Sequence, residues 1–317
     1  MAVKLLASAC SDKGCVRQNN EDSFCLNGHY LQRDQMDAGG LFKCMVVPDA
    51  LFAVCDGMGG EEAGEEASLL SVQKCAEYLN AKTKMTDRDR ITSFLHSGCE
   101  AVYAQAKRRG NHSGATLAML VAGTEGIRIA NMGDSRIYRL SAEGFRQLSY
   151  DHTEMQRLLN LGQITPEQIP THPKRHMINQ YWGMPLERAP FTPYISDMLP
   201  YCNRDRFLLC SDGLTDMLSD VEIARILSSS EPVERISEEL VRQAKLKGGR
   251  DNVTVVVVEV REDGTAAAGA QNTRKKNKKM DVQALYGARK MLTALLTLVC
   301  ALDVYLILEW VDYLFLR

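Results

Sequence analysis

The runs LFAVCDG (51–57) and RFLLCSDG (206–213) are apolar stretches of strand length, and each stops on an aspartate followed by glycine. Two further segments, R17-Q-N-N-E-D22 and G249-R-D251-N252, place acids at turn-forming residues in the same way. A chain with this pattern must bury several strands and turn sharply on carboxylates. Each Asp-Gly alone is a turn for backbone reasons. Four acidic turns without a lysine among them assemble like charges, and such a cluster needs a cation. Hard ions such as Mg²⁺ and Mn²⁺ take oxygen ligands and keep several waters. Aspartates at adjacent strand ends converge on one point while the sheet keeps them rigid, and the glycine after Asp56 lets a carbonyl approach an ion.

Other strand-like runs are ATLAMLVAG (115–123), GIRIANMGD (126–134), SRIYRLS (135–141) and NVTVVVVEV (252–260). The run of strands over 115–141, joined by short glycine-containing turns, predicts antiparallel hairpins rather than parallel crossovers. Helices are predicted over 61–80, over 87–109 with apolar residues near a 3.6 period, and over 231–247, which has Pro at its second residue and Gly248-Gly249 after its end. The N-terminal stretch is too short for a secretory signal and reads as a first strand. Seven of the nine prolines fall between Thr165 and Pro200, so that stretch should be an irregular lobe. The insert at 31–50 has no sequence-level explanation. No GxGxxG or phosphate-binding glycine loop follows any strand, so nucleotide-binding folds are not supported.

Composition narrows the class. The chain has 317 residues, net charge −2 and 45% hydrophobic residues, which excludes a polytopic membrane protein, a disordered chain and a dedicated nucleic-acid binder. The near-zero total hides a division. From Arg274 to Arg317 eight Lys or Arg stand against four acids (net +4), and the remainder holds thirty bases and thirty-six acids (net −6). Ten cysteines contain no CxxC pair and sit mostly in apolar runs, which favours a reduced, cytosolic body over zinc or disulfide frameworks.

Eight motifs in order carry a resemblance: GCVRQNNEDSF (14–24), FAVCDGMGGEEAGEEAS (52–68), SGATLAMLV (113–121), NMGDSRIYRL (131–140), LSYDHT (148–153), GQITPEQIPTHPKRHMINQYWG (162–183), FLLCSDGLTDML (207–218) and GGRDNVTVVVVEV (248–260). Over roughly residues 5–261 the chain resembles the metal-dependent protein serine/threonine phosphatases of the PP2C type, in their bacterial branch. The resemblance implies an α+β fold over residues 1–262, a central sandwich of two antiparallel sheets flanked by helices. It implies two Mn²⁺ or Mg²⁺ ions, with Asp56 bridging them, the Gly57 carbonyl on one, and Asp212 and Asp251 on the other. Glu21 and Asp22 would hydrogen-bond water at the ions, Asp134 matches the place of a weaker third ion, and Arg17 would clamp phosphate. The implied reaction is in-line attack on phosphoserine or phosphothreonine by a hydroxide bridging the ions. The implied partners are phosphoproteins, substrates of a cognate serine/threonine kinase. A non-catalytic phosphoprotein sensor on the same fold is the rival reading.

The chain departs from many eukaryotic members at Met58, where they carry the histidine assigned as general acid. His152 is a weak substitute, because Asp-His-Thr reads better as a helix cap, and the other five histidines read as surface or packing residues. The stretch 162–200 matches the family's flap.

The end of the chain reads separately: a basic flexible linker over 263–290, a membrane-spanning helix over 291–309 and a short tail over 310–317. Fifteen of the eighteen residues from Met291 to Leu308 are apolar, and the Lys/Arg cluster before them places the catalytic body in the cytoplasm as a single-pass cell-membrane protein. Asp303 objects, since a mid-span acid costs about 2.5–3.5 kcal/mol. An in-plane or protein-docked helix and a soluble core helix are the alternatives.

Overall fold

A computed structural model describes residues 3–59, 63–81, 84–187 and 190–262. The strands are β1 (Val3–Asp12), β2 (Asp22–Leu26), β3 (Gly40–Val46), β4 (Ala50–Met58), β5 (Gly114–Ala115) and β6 (Leu117–Gly123) in the first half. They continue as β7 (Gly126–Met132), β8 (Arg136–Ser141), β9 (Gly144–Gln147), β10 (Tyr194–Ile195), β11 (Arg206–Cys210) and β12 (Val253–Glu262). The helices are α1 (Ala63–Asn80), α2 (Arg88–Arg109), α3 (Glu154–Asn160), α4 (Asp212–Thr215), α5 (Asp220–Leu227) and α6 (Val233–Leu246).

Two antiparallel sheets face each other, in the orders β3-β1-β12-β11-β8-β9 and β10-β7-β6-β4-β2, with β5 pairing the end of β4. Phe24, Phe52, Val54, Leu120, Ile129, Phe207, Leu209, Val256 and Val258 fill the space between them. The alternate side chains of the same strands meet helices. Val255 and Val257 pack with Ile223, Ile236 and Leu240 of α5 and α6, while Leu51, Ala53, Leu117 and Met119 pack with Val72, Cys75 and Leu95 of α1 and α2. Strands covered on both faces need apolar residues throughout, which is why NVTVVVVEV lacks polar alternation.

Helix boundaries follow local chemistry. Asp87 caps α2 by accepting from the Asp89 N–H, and Gly110 ends it at φ 70° in the left-handed conformation, after the basic turn Lys107–Arg109. Thr153 caps α3 through its side chain, so the Asp-His-Thr segment does open a helix. The predicted helices lie close to α1, α2 and α6.

One expectation fails. β6 and β7 form the expected hairpin, but β7 and β8 do not. The turn Gly133-Asp134-Ser135 carries the chain from one sheet to the other, because β8 pairs with β11 instead of β7.

The proline-rich lobe contains a 3-10 turn (Pro166–Thr171) and little regular structure, as expected. It is not merely a surface insertion. Trp182 is fully buried, exchanges backbone hydrogen bonds with Ala115, and lies against Gly98, where an added Cβ would sit 2.6 Å from its ring. The insert at 31–50 forms a 3-10 turn (Arg33–Ala38) and β3, which extends the first sheet along β1.

No helix among the described residues is long and apolar enough to cross a membrane. The predicted basic linker at 263–290, membrane helix at 291–309 and tail at 310–317 lie outside the described residues.

Candidate metal centre

One end of the sandwich collects the predicted acids. Asp22 on β2 stands opposite Asp56 on β4 in the strand register. Like charges placed directly opposite are unfavourable in a sheet, so this pair marks a place where function overrides strand stability. Asp212 opens α4 after β11, Asp251 precedes β12, and Asp134 lies in the crossover before β8.

The backbone is drawn tight around them. The Gly57 N–H donates to the Glu21 carbonyl at 3.1 Å, and a Cβ on Gly57 would lie 2.1 Å from the Gly64 carbonyl oxygen. A Cβ on Gly213 would lie 1.9 Å from the Asn252 carbonyl oxygen. Only glycine lets β4 approach α1, and the start of α4 approach the Asp251 turn, this closely.

Buried hydroxyls hold the carboxylates. Ser211 Oγ donates to Asp22 Oδ2 at 2.7 Å and accepts from the Thr254 N–H at 3.0 Å. Thr116 Oγ1 accepts from the Asp56 N–H at 2.9 Å and shares a 2.6 Å hydrogen bond with Ser135 Oγ, tying β4 to the Asp134 crossover. Asn252 Oδ1 accepts from the Glu21 N–H at 2.8 Å. Sequence reasoning did not single out Ser211, Thr116, Ser135, Thr254 or Asn252. The available signal was a hydroxyl or amide next to Glu21, Asp134, Asp212 and Asp251 in the chain; Thr116 reaches Asp56 only through the fold.

The acids raise one another's proton affinity. Burial pushes Asp22 up to about 7, with Asp212 and Asp251 adding to it and hydrogen bonds from Ser211 and Thr254 opposing. Burial, then the charges of Asp22, Asp212, Asp134 and Asp251, holds Asp56 well above the usual carboxylate range. Asp134 rises to about 8 through burial and then Asp212 and Asp151. Asp212 rises to about 6 through burial and then Asp216 and Asp251, while a hydrogen bond with the Asp56 carboxyl lowers it. Glu21 is raised, chiefly by burial. Among the described residues Asp22 Oδ1, although buried, has no hydrogen-bond partner. An all-oxygen donor set with this much uncompensated charge and one orphaned oxygen fits hard divalent cations.

Arg17 stands at the rim with its side chain 49% exposed, and its Nη2 donates to Asp251 Oδ2 at 2.8 Å. His152 is buried, and both ring nitrogens lie at backbone carbonyls, 3.3 Å from Gly133 and 3.1 Å from Thr192. Burial lowers its pKa, while the Gly133 and Thr192 carbonyls oppose that shift. His176 is exposed, as the sequence reading expects of a surface histidine, and it stands beside the acids at the ends of α4. Its ring nitrogen and carboxylate oxygens of Asp212 and Asp216 all lie within 4.8 Å of one another. No spacing signal announces this, because the lobe reaches the site through the fold.

The chain is similar to several known proteins. The family model described as "Protein phosphatase 2C" matches residues 37–248. The chain is 30% identical to the serine/threonine phosphatase Stp of Listeria innocua over 257 residues, 78% of this chain and 93% of that protein. It is 32% identical to the protein phosphatase PhpP of Streptococcus pneumoniae over 261 residues, 81% of this chain and 98% of that one. The crystal structure of the catalytic domain of the serine/threonine phosphatase PstP in complex with two manganese ions matches with a TM-score of 0.67 and 30% identity, covering 82% of this chain and all of that one.

Proposed function

Since the chain belongs to the protein phosphatase 2C family and is a metal-dependent protein serine/threonine phosphatase, we propose that Asp56, the Gly57 carbonyl, Asp212 and Asp251 hold two Mn²⁺ or Mg²⁺ ions. The observation that carries this assignment is the convergence of mutually repelling carboxylates from β2, β4, β11 and β12 at one end of the sandwich. Glu21 and Asp22 orient water there, and Asp134 offers the place of a third, weaker ion. Bound divalent ions acidify water near neutral pH and neutralise phosphate charge.

The chain's own residues then divide the work. Arg17 can present its planar fork to two phosphate oxygens, and its exposure leaves it free to exchange Asp251 for phosphate. Burial pushes the thiols of Cys25 and Cys210 up to about 12, so neither offers a thiolate nucleophile. Met58 cannot donate a proton, and the His152 ring nitrogens are engaged on the backbone carbonyls of Gly133 and Thr192. The proton for the departing serine or threonine oxygen then has to come from water at the ions or from another group of the site. The lobe over 162–200, anchored by Trp182 and reaching Asp212 through His176, forms one wall of the approach to the ions and so acts in substrate choice.

The substrates are phosphoproteins, and we assign their phosphorylation to a cognate serine/threonine kinase. The phosphatase domain spans 1–262, and a basic linker at 263–290 joins it to a single membrane-crossing helix at 291–309 with a tail at 310–317. The Lys/Arg run and the fifteen apolar residues in eighteen support this tether, with the catalytic body on the cytoplasmic side. Retention of the full chain in the membrane pellet after alkaline carbonate extraction, and release of a chain ending at 262, is the expected result. Release of both would remove the anchor.

The catalytic assignment is tested by phosphate release from a phosphothreonine peptide. Turnover with Mn²⁺ and none in excess EDTA is expected; full activity in EDTA contradicts it. Phosphopeptide binding without turnover in Mn²⁺ would favour the non-catalytic sensor.

A further inference from the structure

We propose that the segment from Leu31 to Val46, which has no sequence-level explanation, positions the Asn20–Asp22 loop and so sets the cation affinity of the centre, with Asp37 as its positioning residue. The proposal rests on the metal assignment above and adds what tunes it.

Both ends of the segment are fixed. Leu31 is 7% exposed and packs between the two sheets, and β3 pairs along β1 from Leu5 to Ser11. Between these anchors the 3-10 turn Arg33–Ala38 grips Asn20, a fully buried residue. Asp37 Oδ1 accepts from the Asn20 backbone N–H at 2.8 Å, and the Met36 carbonyl accepts from Asn20 Nδ2 at 3.0 Å. The same Nδ2 donates to Ser11 Oγ at 3.0 Å, and Asn20 Oδ1 accepts from the Asp22 N–H at 3.2 Å. Asn20 thus transfers the position of the turn directly to the backbone of Asp22. On the other side of the loop Arg33 contacts the carboxylate of Glu65, nearly buried in the first turn of α1. The adjacent Gly64 lies against Glu21, since a Cβ there would meet Glu21 Oε1 at 2.6 Å.

The physical consequence follows from the charges. Without cations the carboxylates repel, and a loosely held loop would relax away from Asp56 and Asp251. Tying the Asn20 backbone to a rigid turn keeps Glu21 and Asp22 in place, which lowers the ordering cost of binding ions. Groups that orient metal ligands in this way are typically worth 10- to 100-fold in affinity. Asp37 is itself exposed, so replacing it removes a hydrogen bond without opening the core.

The experiment is a calorimetric titration of the full chain with Mn²⁺ alone, in the wild type, Asp37→Ala, Asp37→Asn and Arg33→Met, with thermal unfolding in EDTA recorded in parallel. Asp37→Ala should weaken Mn²⁺ binding about tenfold, and kcat at saturating Mn²⁺ should stay within about twofold. Asp37→Asn keeps an acceptor oxygen and should restore affinity to within about threefold; Arg33→Met should weaken it about threefold, both on the same scale. Wild-type affinity in both Asp37→Ala and Arg33→Met, whatever their melting temperatures, overturns the proposal. So does an Asp37→Asn variant that binds no better than Asp37→Ala. A wild-type chain that binds no Mn²⁺ overturns the metal assignment, and this proposal with it.

Discussion

Strands β8, β11 and β12 each run between two kinds of acid. At one end lie Asp134, Asp212 and Asp251, which face other carboxylates. At the other, the strands bring acids to arginines. Arg139 on β8 donates from Nε to Asp205 at 2.7 Å and again from Nη2, and Arg206 on β11 donates to Glu259 of β12 at 2.6 Å. Arg261 also contacts Glu259. β11 is five residues long, so about 17 Å of strand separates the two environments. The paired end satisfies its charges internally and serves the fold. The other end, unpaired apart from the rim contact of Arg17 with Asp251, leaves its charges for an external cation and serves chemistry.

Four experiments probe this contrast. Removing charge at the unpaired end should cost turnover and not stability. Asp56→Asn or Asp212→Asn should lower phosphothreonine-peptide turnover by at least 10³-fold, about 4 kcal/mol of barrier, while the cation-free fold keeps or gains stability. Appreciable activity in both variants would separate these carboxylates from the reaction.

At the paired end the effects should reverse. Asp205 and Arg139 are 3% and 6% exposed. Asp205→Asn should destabilise the protein by about 3 kcal/mol, the cost of a buried guanidinium left without its partner. The kcat of the folded protein should stay within about twofold of the wild type, at roughly 0.4 kcal/mol or less. A large kcat loss with unchanged denaturant stability would erase the distinction between the ends.

Arg17 belongs to the rim and touches the centre through Asp251. Arg17→Ala should lower kcat/KM for the phosphopeptide by about 10- to 100-fold, the size of one or two charge-assisted hydrogen bonds, and Arg17→Lys should recover part of it. Equal losses in both point to the fork geometry, and no loss in either removes Arg17 from substrate binding.

A further contrast concerns pH. In the cation-free protein Asp212, Asp22 and Asp134 keep protons up to about 6, 7 and 8, above their unfolded value near 4. Raised acids contribute stability below the unfolded pKa, and that contribution is lost as pH rises through the folded values. The melting temperature in EDTA should therefore fall between about pH 4 and pH 8. Added Mn²⁺, which favours the ionised carboxylates, should raise it more at pH 8 than at pH 5.5. A Mn²⁺ effect that does not depend on pH would count against the acids as its ligands.

Much of the unpaired end is legible in the sequence, because function there imposes local rules. Glycine must follow Asp56 and Asp212, apolar strands must precede them, and the order of motifs is fixed. The helices α2 and α6 are equally plain from their caps and apolar period. The paired end is not legible. Arg139 and Arg206 sit in runs that read simply as strands, and only the register across β8, β11 and β12 shows that they meet Asp205 and Glu259. The same reason hides His176, the Trp182 anchor and the role of Asp37, all of which join segments distant in the chain. The hairpin expected between β7 and β8 fails for a related cause. A short glycine turn looks the same whether the chain doubles back or crosses to the opposite sheet, and here the crossing places Asp134 at the centre.

The most direct measurement is the number of Mn²⁺ ions bound per chain, by calorimetry or atomic emission after equilibrium dialysis, in the wild type, Asp56→Asn and Asp205→Asn. Two tightly bound ions in the wild type and in folded Asp205→Asn, with that binding lost in Asp56→Asn, is the predicted result. The account is contradicted by Asp56→Asn retaining two tight ions, or by Asp205→Asn losing them while still folded.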